Sequence, residues 1–149
     1  MRNKFLFLLF VLLVLFCGWF TLNKLESGKE NIVVGPVSIP VEIRDTPEGR
    51  KQGLSGRESL PADEGMLFVF PTKDTQQFWM PDMHFPIDIV WITGGKVVGI
   101  EANVSNKFDS DNPVYYSSPE PVDYVLEVNA GFMARHNLKV GEAVDLNNI

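Results

Sequence analysis

The chain has 149 residues, of which 45% are hydrophobic, and it carries a net charge of −6 at pH 7 and a single cysteine. This length accommodates one membrane anchor and one domain but excludes two ordinary domains. The acidic balance argues against a nucleic-acid partner because it repels phosphate backbones.

The first element is a continuous apolar segment. Residues 5–22, FLFLLFVLLVLFCGWFTL, contain no charge and no proline. As a helix these 18 residues would rise about 27 Å, close to the thickness of the hydrocarbon core of a bilayer, and every face would be apolar. The sequence therefore predicts an N-terminal signal anchor, a transmembrane helix within residues 1–22.

Two alternatives to an uncleaved anchor stay open. A cleaved signal peptide would need small residues in an A-x-A-like pattern, which the residues after the apolar run do not supply. Lipidation at Cys17 is disfavoured because bulky Phe16 precedes it. Since Cys17 is the only cysteine, the domain that follows has no internal disulfide.

Charges around the anchor predict its orientation. Arg2 and Lys4 precede it, which favours a cytoplasmic N-terminus and an extracytoplasmic domain, either periplasmic or on the cell surface. Behind the anchor, 11 basic residues stand against 19 acidic ones, a net charge of −8. We therefore expect contact with the membrane through residues 5–22 and no further docking onto anionic lipid.

A polar tether, residues 23–31, leads into a single globular domain at 32–149. Its first strand is VSIPVEI (37–43), in which Pro40 indicates an edge position or a bend. Thr46-Pro47-Glu48 is typical of a helix start, with a hydroxyl N-cap, proline in the first turn and an acid near the positive end of the dipole. We expect this helix to end near Gly53.

The rest of the domain reads as short strands. They are predicted at 66–70, 77–80, 87–92, 96–102, 123–128 and 143–146. Gly94-Gly95 joins two of them as a tight hairpin turn, and residues 103–121 form one long loop of the kind that is often functional. Asn129 is expected to cap a second short helix that runs through Arg135 and ends near Asn137. The pattern predicts an α+β domain with a compact, strongly bent or barrel-like, mostly antiparallel sheet and two short helices.

The blocks GLSGRESL, DEGMLFVF, FWMPDM, PIDI, YVLEVNAG and LKVGEAVDL, in this order and spacing, resemble the domain of unknown function 192 family over about 110 residues. The usual family blocks read G-L-M-x-R and F-W-M-K-N-T; here Ser55 replaces the first Met and Pro81-Asp82-Met83 replaces Lys-Asn-Thr. The resemblance implies a compact β-rich fold and no particular reaction. The matching positions are Arg57, Gly65, Met66, Trp79, Met80, Asp88, Glu127 and Gly131.

Asp88 is the most chemically informative of these residues. Strand 87–92 is apolar on both faces, so Asp88 is predicted to lie in a dry environment, where a carboxylate must be neutralised or paired. Arg57 is the first candidate partner and Arg44 the second. The pair could be structural, could anchor a ligand at the base of a pocket, or, least favoured, could serve acid–base chemistry.

Trp79 and Met80 lie on alternate faces of their strand, so one of them is free to line a groove while the other packs into the core. Together with Arg57 and Asp88 they are the candidate ligand-binding residues. We therefore predict an extracytoplasmic, membrane-anchored domain that binds an unknown small molecule or protein partner. A protein-interaction or scaffold module in a membrane complex is the second interpretation.

Two chemical alternatives are weaker. Met80, Met83 and His84 offer thioether and imidazole ligands that suit Cu(I). A hydrolase would need a nucleophile, but the context of Ser55 in G-L-S-G-R is not the G-x-S-x-G elbow. No catalytic residue and no cofactor is predicted, and an enzyme ranks third.

Overall fold

The computed structural model describes residues 29–149. Within them the chain forms nine strands and two short helices, which run β1 (Glu30–Val34), β2 (Val37–Arg44), α1 (Pro47–Gln52), β3 (Gly65–Asp74), β4 (Gln77–Phe78), β5 (Ile87–Thr93), β6 (Lys96–Val104), β7 (Tyr116–Ser117), β8 (Val122–Asn129), α2 (Phe132–Arg135) and β9 (Val144–Asp145).

Seven strands form one sheet in the order β6-β5-β8-β3-β2-β1-β9, and all neighbours are antiparallel except β2 and β3. The last strand pairs with β1, and the residues just before it reach the opposite edge, where the Val97 N–H donates to the Glu142 carbonyl over 2.9 Å. The segment that forms one edge strand, β9, therefore also contacts β6 at the other edge, and the sheet curls into a half-barrel. The predicted bent, mostly antiparallel sheet with two short helices is confirmed.

The predicted anchor at residues 5–22 lies outside the described residues. Among residues 29–149, neither helix is long and apolar enough to cross a bilayer.

Local signals explain α1 and the β5–β6 hairpin. The Thr46 hydroxyl accepts from the Gly49 N–H over 3.1 Å, Pro47 is in the first turn and Gly53 ends the helix, as predicted. Gly94 and Gly95 have φ of 57° and 68°, which a tight two-residue hairpin turn requires.

The second helix begins later in the chain than the sequence predicts. It begins at Phe132 with Gly131 as N-cap, whereas Asn129 belongs to β8. The Asn129 amide does not cap the helix; it donates to the Leu60 and Pro61 carbonyls at 3.0 Å each. A side chain that reaches across the fold in this way leaves no local trace in the sequence.

The sheet is apolar on both faces, which explains why all of β5 is buried. The first cluster fills the inside of the curl, with Leu67, Val90 and Leu126 at its centre. The second cluster lies on the other face, with Met66, Phe68, Ile89, Trp91 and Val125 among its buried members. The strand period of two sends alternate residues of β3, β5 and β8 to the two clusters.

The second cluster is covered by α1, the turn that follows it, and the small β4–β7 ribbon. Phe78 of β4 meets Phe68 edge-on with ring centroids 5.0 Å apart, and Trp91 at 5.6 Å. Because β7 pairs with β4, the long loop before β7 is drawn over the same face. A cavity lies under this cover.

Candidate functional site

The cavity between the second face of the sheet and its cover has a volume of about 280 Å³. The side chains around it come from α1 and the following turn, from β3, from β4 and the turn behind it, and from β8. They are Arg50, Lys51, Gln52, Gly53, Leu54, Ser55, Phe68, Phe70, Gln76, Gln77, Phe78, Trp79, Pro81, Met83 and Glu127. Aromatic walls with a few polar groups are typical of small-molecule sites, although this volume is at the lower end of their range.

Glu127 is the chemically distinctive residue of this cavity. It lies on β8 directly between Met66 of β3 and Ile89 of β5, so both cross-strand neighbours are apolar. Glu127 is 6% exposed, and its Oε2 atom is fully buried without a hydrogen-bond partner among residues 29–149. Burial raises the pKa of Glu127 to about 8, so the carboxyl is held mostly protonated at neutral pH.

A carboxyl in this state is unusual in a native protein. Buried polar atoms are nearly always paired, and an unpaired one costs about 1–3 kcal/mol. A buried acid that also lines a cavity is a candidate functional group, since a ligand can pair with its carboxyl. From the sequence, Glu127 is identified only as one of the family positions, although a single acid within the apolar stretch YVLEV was a usable signal.

Arg50 and Lys51 are the cationic residues that line the cavity, and Arg50 also makes contacts that stabilise the fold. Arg50 Nη1 donates to the Val69 carbonyl over 2.9 Å and to the Asp45 carbonyl, and its guanidinium lies 5.4 Å from the centre of the Phe70 ring. Lys51 is exposed. The most deeply buried ionisable residue of the cavity is therefore the acid, and the bases are more exposed.

The turns that close the cavity are tied together by two hydrogen bonds. The Ser55 hydroxyl donates to the Pro81 carbonyl and the Gly56 N–H to the Asp82 carbonyl, each over 2.9 Å. The position at which this chain departs from the G-L-M-x-R block thus has a structural use. The Ser55 hydroxyl is engaged in the cover, where it fixes one turn against the other.

At the mouth of the cavity lies an aromatic triad, Trp79, Phe108 and Tyr115. Trp79 is 47% exposed, stacks on Tyr115 with centroids 5.8 Å apart, and meets Phe108 edge-on at 5.5 Å. The long loop therefore contributes two of the three rings. Of the four predicted ligand-binding residues, only Trp79 lines the cavity.

The predicted pairing of Asp88 with Arg57 or Arg44 is wrong. Asp88 is fully buried, as expected, but its two oxygens accept three backbone N–H groups, from Asn103 at 2.8 Å and from Gly131 and Met133 at 3.0 Å. These bonds fix the end of β6 and the start of α2 to β5. Oriented backbone amides, which a residue pattern does not reveal, stabilise the carboxylate in place of the predicted arginine.

Both arginines pair instead with Glu42 of β2. Arg57 Nη1 lies 2.7 Å from Glu42 Oε2, and Arg44 Nη2 lies 2.5 Å from Oε1. The hydrogen bond from Arg57, followed by that from Arg44, holds the pKa of Glu42 below its usual value. This cluster is partly solvated and does not line the cavity.

The DUF192 family model, described as "Uncharacterized ACR", matches residues 30–146. The chain belongs to the DUF192 family. No curated protein matches this sequence.

Two solved structures share the fold of this DUF192 domain. A protein of unknown function from Novosphingobium aromaticivorans is 28% identical, with a TM-score of 0.71, over 77% of this chain and 83% of its own. A protein from Sinorhizobium meliloti, described as a candidate transcription regulator, is 29% identical, with a TM-score of 0.71, over 79% of this chain and 93% of its own. The family and the fold are thereby established.

The three candidate Cu(I) ligands, Met80, Met83 and His84, differ in their surroundings. Met80 and Met83 are buried in the second cluster, 4% and 8% exposed. The His84 ring lies 3.1 Å from Glu58 and 3.6 Å from Asp82. Within residues 29–149 no three His, Cys, Asp or Glu side chains group as metal ligands. Cu(I) titration followed by tryptophan fluorescence tests the alternative, for which we expect at most weak quenching.

Proposed function

We propose that this DUF192 domain is a membrane-anchored, extracytoplasmic binding module that takes a small organic ligand in the cavity above Glu127. The observation that carries the proposal is Glu127, a buried acid with an unpartnered Oε2 that lines an aromatic cavity. An unsatisfied group at that place costs stability that a ligand can restore. Trp79 at the mouth provides an exposed ring on which such a ligand can stack.

The test uses the full chain in a non-ionic detergent. Neutral, anionic and cationic small molecules are added singly while the thermal midpoint and tryptophan emission are followed. A ligand at about 100 times its dissociation constant stabilises by about 2.7 kcal/mol, which a melt resolves. Trp79→Phe is the control for the emission signal because Trp91 is buried and does not line the cavity.

A binding module needs at least one compound that raises the midpoint in the native chain and loses its effect when Leu54→Trp fills the cavity. Leu54 is 2% exposed and lines the cavity, so a larger side chain there occupies the proposed site. If every compound leaves the midpoint unchanged, the proposal is rejected.

The second candidate function is protein interaction, favoured by the aromatic triad. Trp79, Phe108 and Tyr115 are 47%, 37% and 49% exposed and form one continuous apolar group at the surface. Grouped exposed aromatic rings are typical of interaction surfaces. Phe108→Ser with Tyr115→Ser should then abolish co-purification of a membrane partner and leave small-molecule binding unchanged.

The proposed orientation rests on Arg2 and Lys4 ahead of the apolar segment. A reporter that is active only outside the cytoplasm, fused after Ile149, should be active. A silent reporter on a stable fusion would reverse the orientation. The intact mass of the membrane form separates the uncleaved anchor from a cleaved signal peptide.

A further inference from the structure

We infer that the cavity binds a compact zwitterion of the amino-acid class, with its ammonium group on the Glu127 carboxylate and its acidic group toward Arg50 and Lys51. The inference rests on the proposed function and names the class of ligand for that site. It follows from the partner that Glu127 Oε2 lacks, from the aromatic residues that line the cavity and from the order of charges along it.

The floor of the cavity offers a carboxylate nothing with which to pair. Met66 and Ile89 flank Glu127 across the sheet, and Oε2 has no partner within residues 29–149. An ammonium group gives the strongest single partner for such an oxygen, since hydrogen bonds between charged groups are about twice as strong as neutral ones. A ligand carboxylate at the same place would be repelled by the ionised form of Glu127.

The aromatic walls of the cavity also favour an ammonium group. Phe68, Phe78 and Trp79 line the cavity around this floor. Aromatic faces attract organic cations through the ring quadrupole, and most strongly where water is excluded. A buried acid surrounded by aromatic rings is therefore chemically matched to an organic ammonium ion.

The charges further out favour a zwitterion over a simple amine. The charged residues that line the cavity are Glu127 on β8 and Arg50 and Lys51 on α1, while the lining residues of β3, β4 and the two turns are uncharged. Glu127 is buried, Arg50 is half-buried and Lys51 is exposed, so once Glu127 is ionised the cavity is negative inside and positive outside. A diamine would meet repulsion at the outer end, and a carboxylate would be attracted there.

The site also predicts how binding responds to pH. Glu127 must lose its proton to receive an ammonium group, and burial raises the pKa of Glu127 to about 8. The affinity should therefore rise by about tenfold per pH unit up to pH 7 and level off near pH 8. One proton should leave the protein for each ligand bound at pH 6.

Matched probes differ only in the charged groups. Leucine, 3-methylbutylamine, 4-methylpentanoate and 3-methylbutanol form one set; phenylalanine, 2-phenylethylamine, 3-phenylpropanoate and 2-phenylethanol form a larger one. Binding is measured by calorimetry on the full chain in non-ionic detergent at pH 6, 7 and 8, in two buffers of different ionisation enthalpy. We expect a zwitterion to bind best, its amine next, and its alcohol and acid poorly.

Glu127→Gln keeps the shape of the side chain and removes its charge, and Glu120→Gln makes the same change on an exposed residue. The first should weaken zwitterion binding by about 30-fold or more at pH 8 and flatten the pH profile. The second should leave both unchanged. Retained melting of Glu127→Gln shows that the loss is not one of folding.

The outcomes separate the two proposals. If alcohols or acids bind as well as the zwitterions, if the native profile is flat, or if Glu127→Gln binds equally, the amino-acid inference is overturned while the binding function stands. If neither set nor the wider screen of neutral, anionic and cationic compounds binds, both are overturned.

Discussion

Asp88 and Glu127 are two fully or nearly fully buried acids on neighbouring strands, and their surroundings are opposite. Asp88 accepts three backbone N–H groups. Glu127 faces a cavity with an unpartnered oxygen, and burial raises its pKa to about 8. Both acids have apolar neighbours on either side in their strands, so the same local pattern yields a structural acid in one case and a candidate binding group in the other.

The difference teaches that burial alone does not mark a functional acid. What distinguishes the two is where the hydrogen-bond donors are. Asp88 is at the end of the sheet where two chain segments turn, and their free amides converge on it. Glu127 lies mid-strand, where neighbouring strands have already used their amides in the sheet, so donors must come from outside.

The largest expected effect comes from Asp88→Ala. Three buried N–H groups lose their acceptor, at about 1–3 kcal/mol each, so the free energy of unfolding should fall by about 4–6 kcal/mol. Asp88→Asn should cost less, because its amide oxygen still accepts from two of the three. Urea denaturation measures both variants. Equal losses would mean that the amides do not depend on the carboxylate.

Glu127→Gln should raise the free energy of unfolding at pH 8, whereas Asp88→Ala lowers it. A folded-state pKa of about 8, above the usual 4.5, means that the folded chain holds a proton that the unfolded chain releases. Stability from this group is therefore complete below pH 4.5 and is lost as pH rises through 8, by about 3–5 kcal/mol in total. Glu127→Gln should remove this loss and be more stable than the native chain at pH 8.

Chemical denaturation of both chains between pH 4.5 and 9 measures that slope. Glu120→Gln serves again as the control because residue 120 is exposed. A native curve as flat as that of Glu127→Gln would show that the carboxyl is solvated or paired in solution, which would remove the contrast with Asp88.

Trp79 and Met80 give a smaller contrast between cavity and core. Met80 is 4% exposed within the second cluster, so Met80→Ala should destabilise by about 2–4 kcal/mol. Trp79 is half-exposed, so Trp79→Ala should change stability by less than about 1 kcal/mol and act on binding instead. Melting with and without a bound probe separates the two. A large stability loss for Trp79→Ala would make it a core residue.

The smallest effect is expected at Glu42, the solvated counterpart of the buried acids. A double-mutant cycle of Glu42→Gln with Arg57→Met should give a coupling of about 0.2–1 kcal/mol, because the pair is partly exposed. The lowered pKa of Glu42 adds stability above its usual pKa and loses it on acidification, opposite to Glu127.

The cycle of Asp88→Asn with Arg57→Met should be additive, and coupling there would restore the pairing that the structure replaces.

The sequence by itself determined the elements whose signals are local. Thr46-Pro47 with Gly53 defined α1, the two glycines at 94–95 defined the hairpin, and the family blocks identified the fold. The alternation of β5 also identified Asp88 as buried. Each signal involves residues close in the chain, where backbone preference or side-chain period acts directly.

Tertiary structure alone decided the partners. Asp88 is paired with amides 15 to 45 residues away, and Asn129 reaches carbonyls 68 and 69 residues away. Glu127 became the candidate site only because α1, its following turn and β4 cover its face of the sheet and leave a cavity there. A sequence pattern tells which side chains leave water. Only the packing of distant segments determines whether a hydrogen-bond partner meets them there.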